Sequence, residues 1–228
     1  MSSIRANLQA VRLRIESALQ AAGRPADSVC LVAVSKTFAS ADVREAAEAG
    51  HRDFGENDVT EGVDKIQELR ALGLTWHYIG PIQSNKTRPI AVNFDWVHSL
   101  DRIRIAARLA EARDPSRAEL QVCIQVNVSG EASKSGVAPT EVDRLSEEVA
   151  ALRQLKLRGL MTVPEPTSDT ALQRRRFAQL RELRDRLNRR GYAMDTLSMG
   201  MSADLEAAIA EGATMVRVGT AIFGERSN

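Results

Sequence analysis

The sequence predicts a single (β/α)8 barrel with an extra N-terminal helix, on three observations. Eight short apolar or β-branched runs alternate with segments of helical period. The runs are largely continuously apolar, as parallel strands buried on both faces are, and no Pro/Gly/Ser-rich linker or composition break divides the 228 residues. An open doubly wound sheet is the alternative layout of the same alternation. With 43% hydrophobic and 27% charged residues the chain can bury one sizeable core, so residues 1–228 are expected to form one domain.

The elements follow in order. Ile4, Leu8, Val11, Ile15 and Leu19 share one face of an amphipathic first helix, unlike the unbroken apolar core of a signal peptide. Strands are expected at 28–35, 53–55, 75–79, 95–99, 119–127, 156–162, 194–198 and 214–218. Helices are expected near 40–49, 57–71, 85–92, 101–112, 139–152, 169–190 and 202–210. No stretch reaches membrane-spanning length, so the chain is read as cytoplasmic, and the sequons at Asn85 and Asn127 as unused. Cys30 and Cys123, each inside an apolar run, are read as reduced buried thiols. A formal charge of +1 supplies no global field for nucleic acid or an anionic membrane.

Chemistry in such a barrel belongs to the loops after the strands. There are five lysines against twenty-six arginines, and Lys36 follows the most apolar strand in pleat register with Val32 and Val34. It either snorkels to water or presents an amine whose pKa is lowered by apolar walls, the nucleophile that Schiff-base formation needs. Lys86 and Lys134 lie farther into their loops. The glycines and hydroxyls of SMGMS (198–202) and GTAIFG (219–224) follow strands seven and eight, where barrels commonly bind phosphate, though the same residues also end strands and cap helices.

Arg217, inside the eighth strand, must meet a carboxylate or face a ligand. His77 and His98 end adjacent strands and are read as hydrogen-bonded structural residues. With His51 the only other histidine and no HExxH or CxxC, no metal is expected. Glu56 and Asn57 serve equally as a helix-capping pair or a ligand contact. The helix at 173–190 holds eight arginines and two acids, but Phe177, Leu180, Leu183 and Leu187 form an apolar stripe, so it reads as a solvated outer helix with an RNA-binding surface as the alternative. Phosphate-loop, dinucleotide and nucleophile-elbow motifs do not occur.

Together, VAVSKTF (32–38), FGEN (54–57), WHYIGPIQSNK (76–86), VHSLD (97–101), QVNVSGEASKSGV (125–137), LRGLMTVP (157–164) and the run from Leu197 to Arg226 resemble the pyridoxal-phosphate homeostasis protein family, in order and over nearly the whole chain. The resemblance implies a barrel like that of bacterial alanine racemases, which binds pyridoxal 5′-phosphate (PLP) with no established reaction. It implies Lys36 as the Schiff-base lysine, Ser198, Met199, Gly219 and Thr220 around the phosphate, Arg217 facing the pyridine nitrogen, and Asn57 beside the ring. Phe38, Ala39 and Asp58 depart from residues common in relatives, which touches the pocket rim. The expected role is a non-catalytic, monomeric, cytoplasmic PLP carrier that buffers the cofactor or delivers it to PLP-dependent apo-enzymes. The alternatives are an amino-acid racemase, which the expected lack of a second domain disfavours, and RNA binding through residues 173–190.

Overall fold

Leu8, Val11, Ile15 and Leu19 are the buried face of the first helix, α1 (Ile4–Ala21), and the Ser3 hydroxyl caps it by accepting from Ala6 N–H. A computed structural model describes residues 3–131 and 134–225; Ala132 and Ser133 of the fifth loop motif and Arg226 of the last motif lie outside the described residues. Eight parallel strands pair in chain order and close on themselves: β1 (Cys30–Val34), β2 (Asp53–Glu56), β3 (Thr75–Tyr78), β4 (Trp96–Leu100), β5 (Leu120–Gln125), β6 (Leu155–Met161), β7 (Thr196–Ser198) and β8 (Met215–Val218). The closed ring decides for the barrel over the open sheet.

The outer layer consists of α2 (Ser40–Glu48), α3 (Val59–Glu68), α4 (Thr87–Asn93), α5 (Ile103–Ala112), α6 (Val142–Ala150), α7 (Thr170–Arg189) and α8 (Leu205–Ala210). Two expectations shift. The helix expected over 57–71 begins at Val59, because the Asp58 carboxylate accepts from Glu61 N–H at 2.9 Å, and it gives way to a 3-10 turn at Arg70–Leu72. The residues after β8, expected as a loop, form a short helix, α9 (Thr220–Phe223).

Strand alternation sorts the core into two parts. Leu31, Ala33, Phe54, Val97, Val122, Ile124, Leu160, Leu197, Val216 and Val218 face outward and pack with the helices in the main apolar cluster. The inward positions hold a small apolar cluster, Trp96, Cys123, Met161 and Met215, besides Val32 and Val34. The remaining interior includes Asp53, His77, His98, Ser198 and Arg217, where barrels usually stack branched apolar side chains. Both cysteines are free thiols, pushed up to about 12 chiefly by burial.

The Arg-rich helix is tied down at both faces. Phe177, Leu180, Leu183 and Leu187 are buried, while Arg174 and Arg181 pair with Glu211, Arg176 with Glu165, Arg184 with Asp185, and Arg186 and Arg190 with Asp143. Six of the eight arginines at 173–190 are thus engaged by carboxylates. Among the described residues no helix is long and apolar enough to cross a membrane, and no cluster of His, Cys, Asp or Glu could hold a metal ion.

One glycine is dictated by the sheet. The β5–β6 register shifts between Val122 and Cys123, and just past that irregularity a Cβ on Gly159 would lie 1.8 Å from the Thr196 carbonyl oxygen. Gly159→Ala must push β6 and β7 apart, so a loss of at least about 2 kcal/mol is expected in urea unfolding. A variant as stable as the parent would contradict this packing.

Stability should also depend on pH. His51 is buried, with Nε2 2.8 Å from the Asp53 carbonyl, and burial depresses its pKa to about 4 against the opposing effect of that hydrogen bond. Because the folded value lies below the unfolded ~6.5, this stabilisation is complete above the unfolded pKa and is lost as pH falls toward the folded one. His98, fully buried, shifts in the same direction. At about pH 5 the His51 contribution alone should lower stability by about 2 kcal/mol relative to about pH 7.5, and His51→Gln should shrink that difference. Equal urea midpoints at both pH values would contradict the assignment.

Candidate functional site

The strands' C-terminal ends surround a cavity of about 420 Å³. Its wall comprises Val34, Lys36 and Phe38 from β1 and its loop, Asn57 after β2, Ile79, Gly80 and Pro81 after β3, and Met161 and Val163 at β6. Met201, Ser202 and Ala203 after β7, Arg217 on β8, and Gly219, Thr220 and Gly224 complete it. That size suits a small organic ligand, for which pockets span about 300–1,000 Å³. A larger surface recess of about 700 Å³ lies on the helical shell beside α1 and α8, away from the strand ends. The titratable side chains on the mouth cavity are Lys36 and Arg217, one on the wall and one at its floor.

Lys36 is two residues beyond the end of β1 and half-buried. Val32 and Val34 point into the barrel, shown by their contact with the Cβ position of Gly55, and the same alternation carries Lys36 to the cavity. Its loop is held from behind. Lys65 of α3, 4% exposed, donates through Nζ to the Ser35 carbonyl at 2.7 Å, to Glu56 Oε1 at 2.8 Å and to Glu61 Oε1 at 2.6 Å. Ser35 Oγ donates to Glu56 Oε1 at 2.6 Å, and Thr37 N–H donates to Glu61 Oε1. Thr37 itself has φ 70°, a strained conformation for a β-branched residue that persists only where its surroundings hold it. Burial raises the Glu56 pKa, and the Lys65 ammonium opposes that shift.

Beside this loop, Gly80 lies so close to Asn57 that a Cβ there would come within 2.2 Å of the Asn57 carbonyl oxygen. That approach brings the loops after β2 and β3 together. Tyr78 Oη adds hydrogen bonds to the carbonyls of Asn57, at 3.3 Å, and Pro81, at 3.1 Å. Phe38 stacks on Phe223 with centroids 5.1 Å apart, which joins the Lys36 loop to α9.

Arg217 is 4% exposed and, among the described residues, forms no hydrogen bond to a carboxylate. One guanidinium nitrogen donates to Ser198 Oγ at 2.6 Å and another to the Thr162 carbonyl at 2.9 Å. Burial lowers its pKa to about 10, which leaves it a cation at neutral pH. His98 Nδ1 lies 2.7 Å from the same Ser198 Oγ and its Nε2 lies 2.9 Å from His77 Nδ1, so both histidines are hydrogen-bonded inside the barrel.

Of the residues that the resemblance implied, Lys36, Asn57, Arg217, Gly219 and Thr220 meet on this one cavity. Ser198 and Met199 do not line it. Ser198 is a β7 residue whose hydroxyl is taken by Arg217 and His98, while Met199 is wholly buried and its N–H donates to the Met215 carbonyl at 3.0 Å. The chain reaches the cavity two positions later, at Met201, Ser202 and Ala203. Glu56 is also outside, buried behind the strand with Lys65. Lys86 and Lys134 are absent from the wall. Sequence reasoning passed over Lys65, whose i,i+4 spacing from Glu61 was the available signal.

A closed parallel barrel with a lysine at its mouth and an arginine beneath defines the barrel of the alanine racemase class, and the family described as alanine racemase, N-terminal domain, matches residues 6–227. The chain is 59% identical over 226 residues to the pyridoxal phosphate homeostasis protein of Pseudomonas aeruginosa, covering 99% of this chain and 97% of that one. It is 50% identical to the Escherichia coli K12 protein of the same name, covering 99% and 98%. The chain belongs to the pyridoxal phosphate homeostasis protein family. Among solved structures, PipY of Synechococcus elongatus with PLP bound is similar at a TM-score of 0.81 and 37% identity, covering 92% of this chain and all of that one. An alanine racemase of Clostridium difficile shares the fold at a TM-score of 0.76 and 16% identity, with 99% of this chain on 57% of that one.

The support behind Lys36 can be tested without a ligand. Lys65→Met leaves two carboxylates facing each other without their cation and should cost about 3–5 kcal/mol in denaturant unfolding. Adding Glu56→Gln should recover much of the loss. If the single variant is as stable as the parent, the cluster does not hold the loop.

Proposed function

We propose that this chain is a cytoplasmic, monomeric carrier of PLP built as one barrel domain, that Lys36 forms the covalent bond to the cofactor, and that the protein buffers it or passes it to PLP-dependent apo-enzymes without turnover of its own. The observation that carries this reading is Lys36 and Arg217 on one cavity of about 420 Å³, with Gly219, Thr220 and Ser202 at its edge. The PLP-bound PipY structure and the name of the relatives support it.

PLP supplies an aldehyde for the amine of Lys36 and an aromatic ring able to take up electron density. Lys36 would hold the aldehyde end, and Ser202, Gly219 and Thr220 the phosphate. Asn57 would lie against the ring and Arg217 beneath the pyridine nitrogen. A guanidinium can only donate, so the ring nitrogen facing Arg217 keeps its lone pair and draws electrons weakly. A racemase needs acid–base groups on both faces of the reacting carbon. Among the described residues of the wall, Lys36 is the one side chain with an amine or acid suited to that work, which supports binding without turnover.

Borohydride treatment of the protein loaded with PLP should fix the cofactor on Lys36, read by peptide mass mapping. A reduced adduct confined to other lysines would defeat the assignment. Pyridoxal without phosphate should bind at least about tenfold more weakly, since charge-assisted hydrogen bonds contribute about 1.5–3 kcal/mol each. Equal affinity would show that no phosphate is held there.

Alanine incubated with the loaded protein in deuterated water, followed by chiral chromatography, should show no sustained inversion above free PLP. Many turnovers of inversion that vanish in Lys36→Ala would instead establish a racemase.

A further inference from the structure

Four hydrogen bonds cross the barrel interior from Arg217, beneath the cavity, to Asp53 at the opposite end. Arg217 to Ser198 Oγ is 2.6 Å, Ser198 Oγ to His98 Nδ1 2.7 Å, His98 Nε2 to His77 Nδ1 2.9 Å, and His77 Nε2 to Asp53 Oδ1 3.1 Å. His77, His98 and Ser198 are fully buried, while the Asp53 side chain is 31% exposed at the N-terminal end of β2.

The two ends set the direction of every link. A guanidinium only donates and a carboxylate only accepts. His77 must therefore carry its proton on Nε2 to reach Asp53, and its bare Nδ1 accepts from His98 Nε2–H. The bare Nδ1 of His98 then accepts from the Ser198 hydroxyl, whose oxygen accepts from Arg217. Each donor and acceptor is used once.

The opposite arrangement is costly. If His77 were protonated on both nitrogens, His98 would have to turn its proton to Nδ1 and donate to an oxygen already taken by Arg217, leaving the Ser198 hydrogen to find another acceptor inside the barrel.

We infer that Asp53 is a positioning residue for Arg217: through a one-way chain of hydrogen bonds it holds His77 and His98 as Nε2–H tautomers and keeps the Ser198 oxygen turned to accept from the guanidinium. The neighbouring groups agree. Burial alone would raise the Asp53 pKa, but hydrogen bonds from His77 and Cys30 help to bring it below the usual range. Burial and the Arg217 charge push the His98 pKa well below its ordinary value. The thiols of Cys30, beside Asp53, and Cys123, near Arg217, stay protonated with values of about 12. Trp96 stacks on His77, Arg158 lies over Trp96 from outside the chain of bonds, and Asp204 faces Arg217.

The consequence for the cofactor rests on the PLP reading above; the tautomers do not. The first measurement is nitrogen-15 NMR of the histidine side chains in the ligand-free protein near neutral pH. Both His77 and His98 should be protonated on Nε2 and bare on Nδ1, and a wild-type His98 protonated on Nδ1 overturns the inference. The second is PLP affinity. Asp53→Asn keeps an acceptor oxygen for His77 and should bind within about twofold of wild type, whereas Asp53→Ala should bind about tenfold more weakly and mix the tautomers. Unchanged tautomers and affinity in Asp53→Ala overturn the inference. A wild-type protein that takes up no PLP overturns the cofactor reading, and the wild-type tautomers then decide this inference alone.

Discussion

A guanidinium placed inside a barrel of parallel strands must be satisfied there, and Arg217 sets that requirement for much of the interior. A buried cation without partners would cost several kcal/mol. Here the hydrogen-bond partners among the described residues are neutral, a hydroxyl and a carbonyl, and Asp204 acts on the charge only through space. The charge remains available to a lone pair or an anion in the cavity above. The interior side chains that would ordinarily be valines and isoleucines are given over to this task, and the apolar packing that holds the fold lies between the strands and the helices.

Lys36 poses the complementary problem. Its position depends on a strained Thr37 and on backbone groups that have left the sheet, so it is held from outside the barrel by the Lys65, Glu56 and Glu61 cluster and by the Phe38–Phe223 stack. The two charged side chains on the cavity are thus supported from opposite sides of the same sheet. Arg217 is braced within the barrel and Lys36 from the helical layer, which fixes their relation with no contact required between them.

Much of this was legible in the sequence because strand periodicity carries it. Runs of three to nine residues announced all eight strands, and Val32, Val34 and Lys36 share a parity that survives past the strand's end. Arg217 was legible as a charge in a buried strand. Ser198 and Met199 lie off the cavity for a specific reason: β7 continues through Ser198, so those residues are spent on the sheet, and the turn toward the cavity begins only afterwards. The Lys65 cluster and the Asp53–His77–His98 chain were not legible as contacts. They join residues on different elements whose relative height is set by barrel stagger, and spacing along one chain does not encode that. Parity alone would have placed Asp53, His77, His98, Ser198 and Arg217 on the inner face.

The family relation and the site point to one central claim, that the chamber between Lys36 and Arg217 is the seat of PLP. A crystal structure of this protein grown with PLP tests it most directly. Electron density should run continuously into Lys36 Nζ, with the ring nitrogen facing Arg217 and the phosphate against Ser202, Gly219 and Thr220. Density for the cofactor elsewhere on the protein, or in the chamber with its ring nitrogen turned away from Arg217, would contradict it.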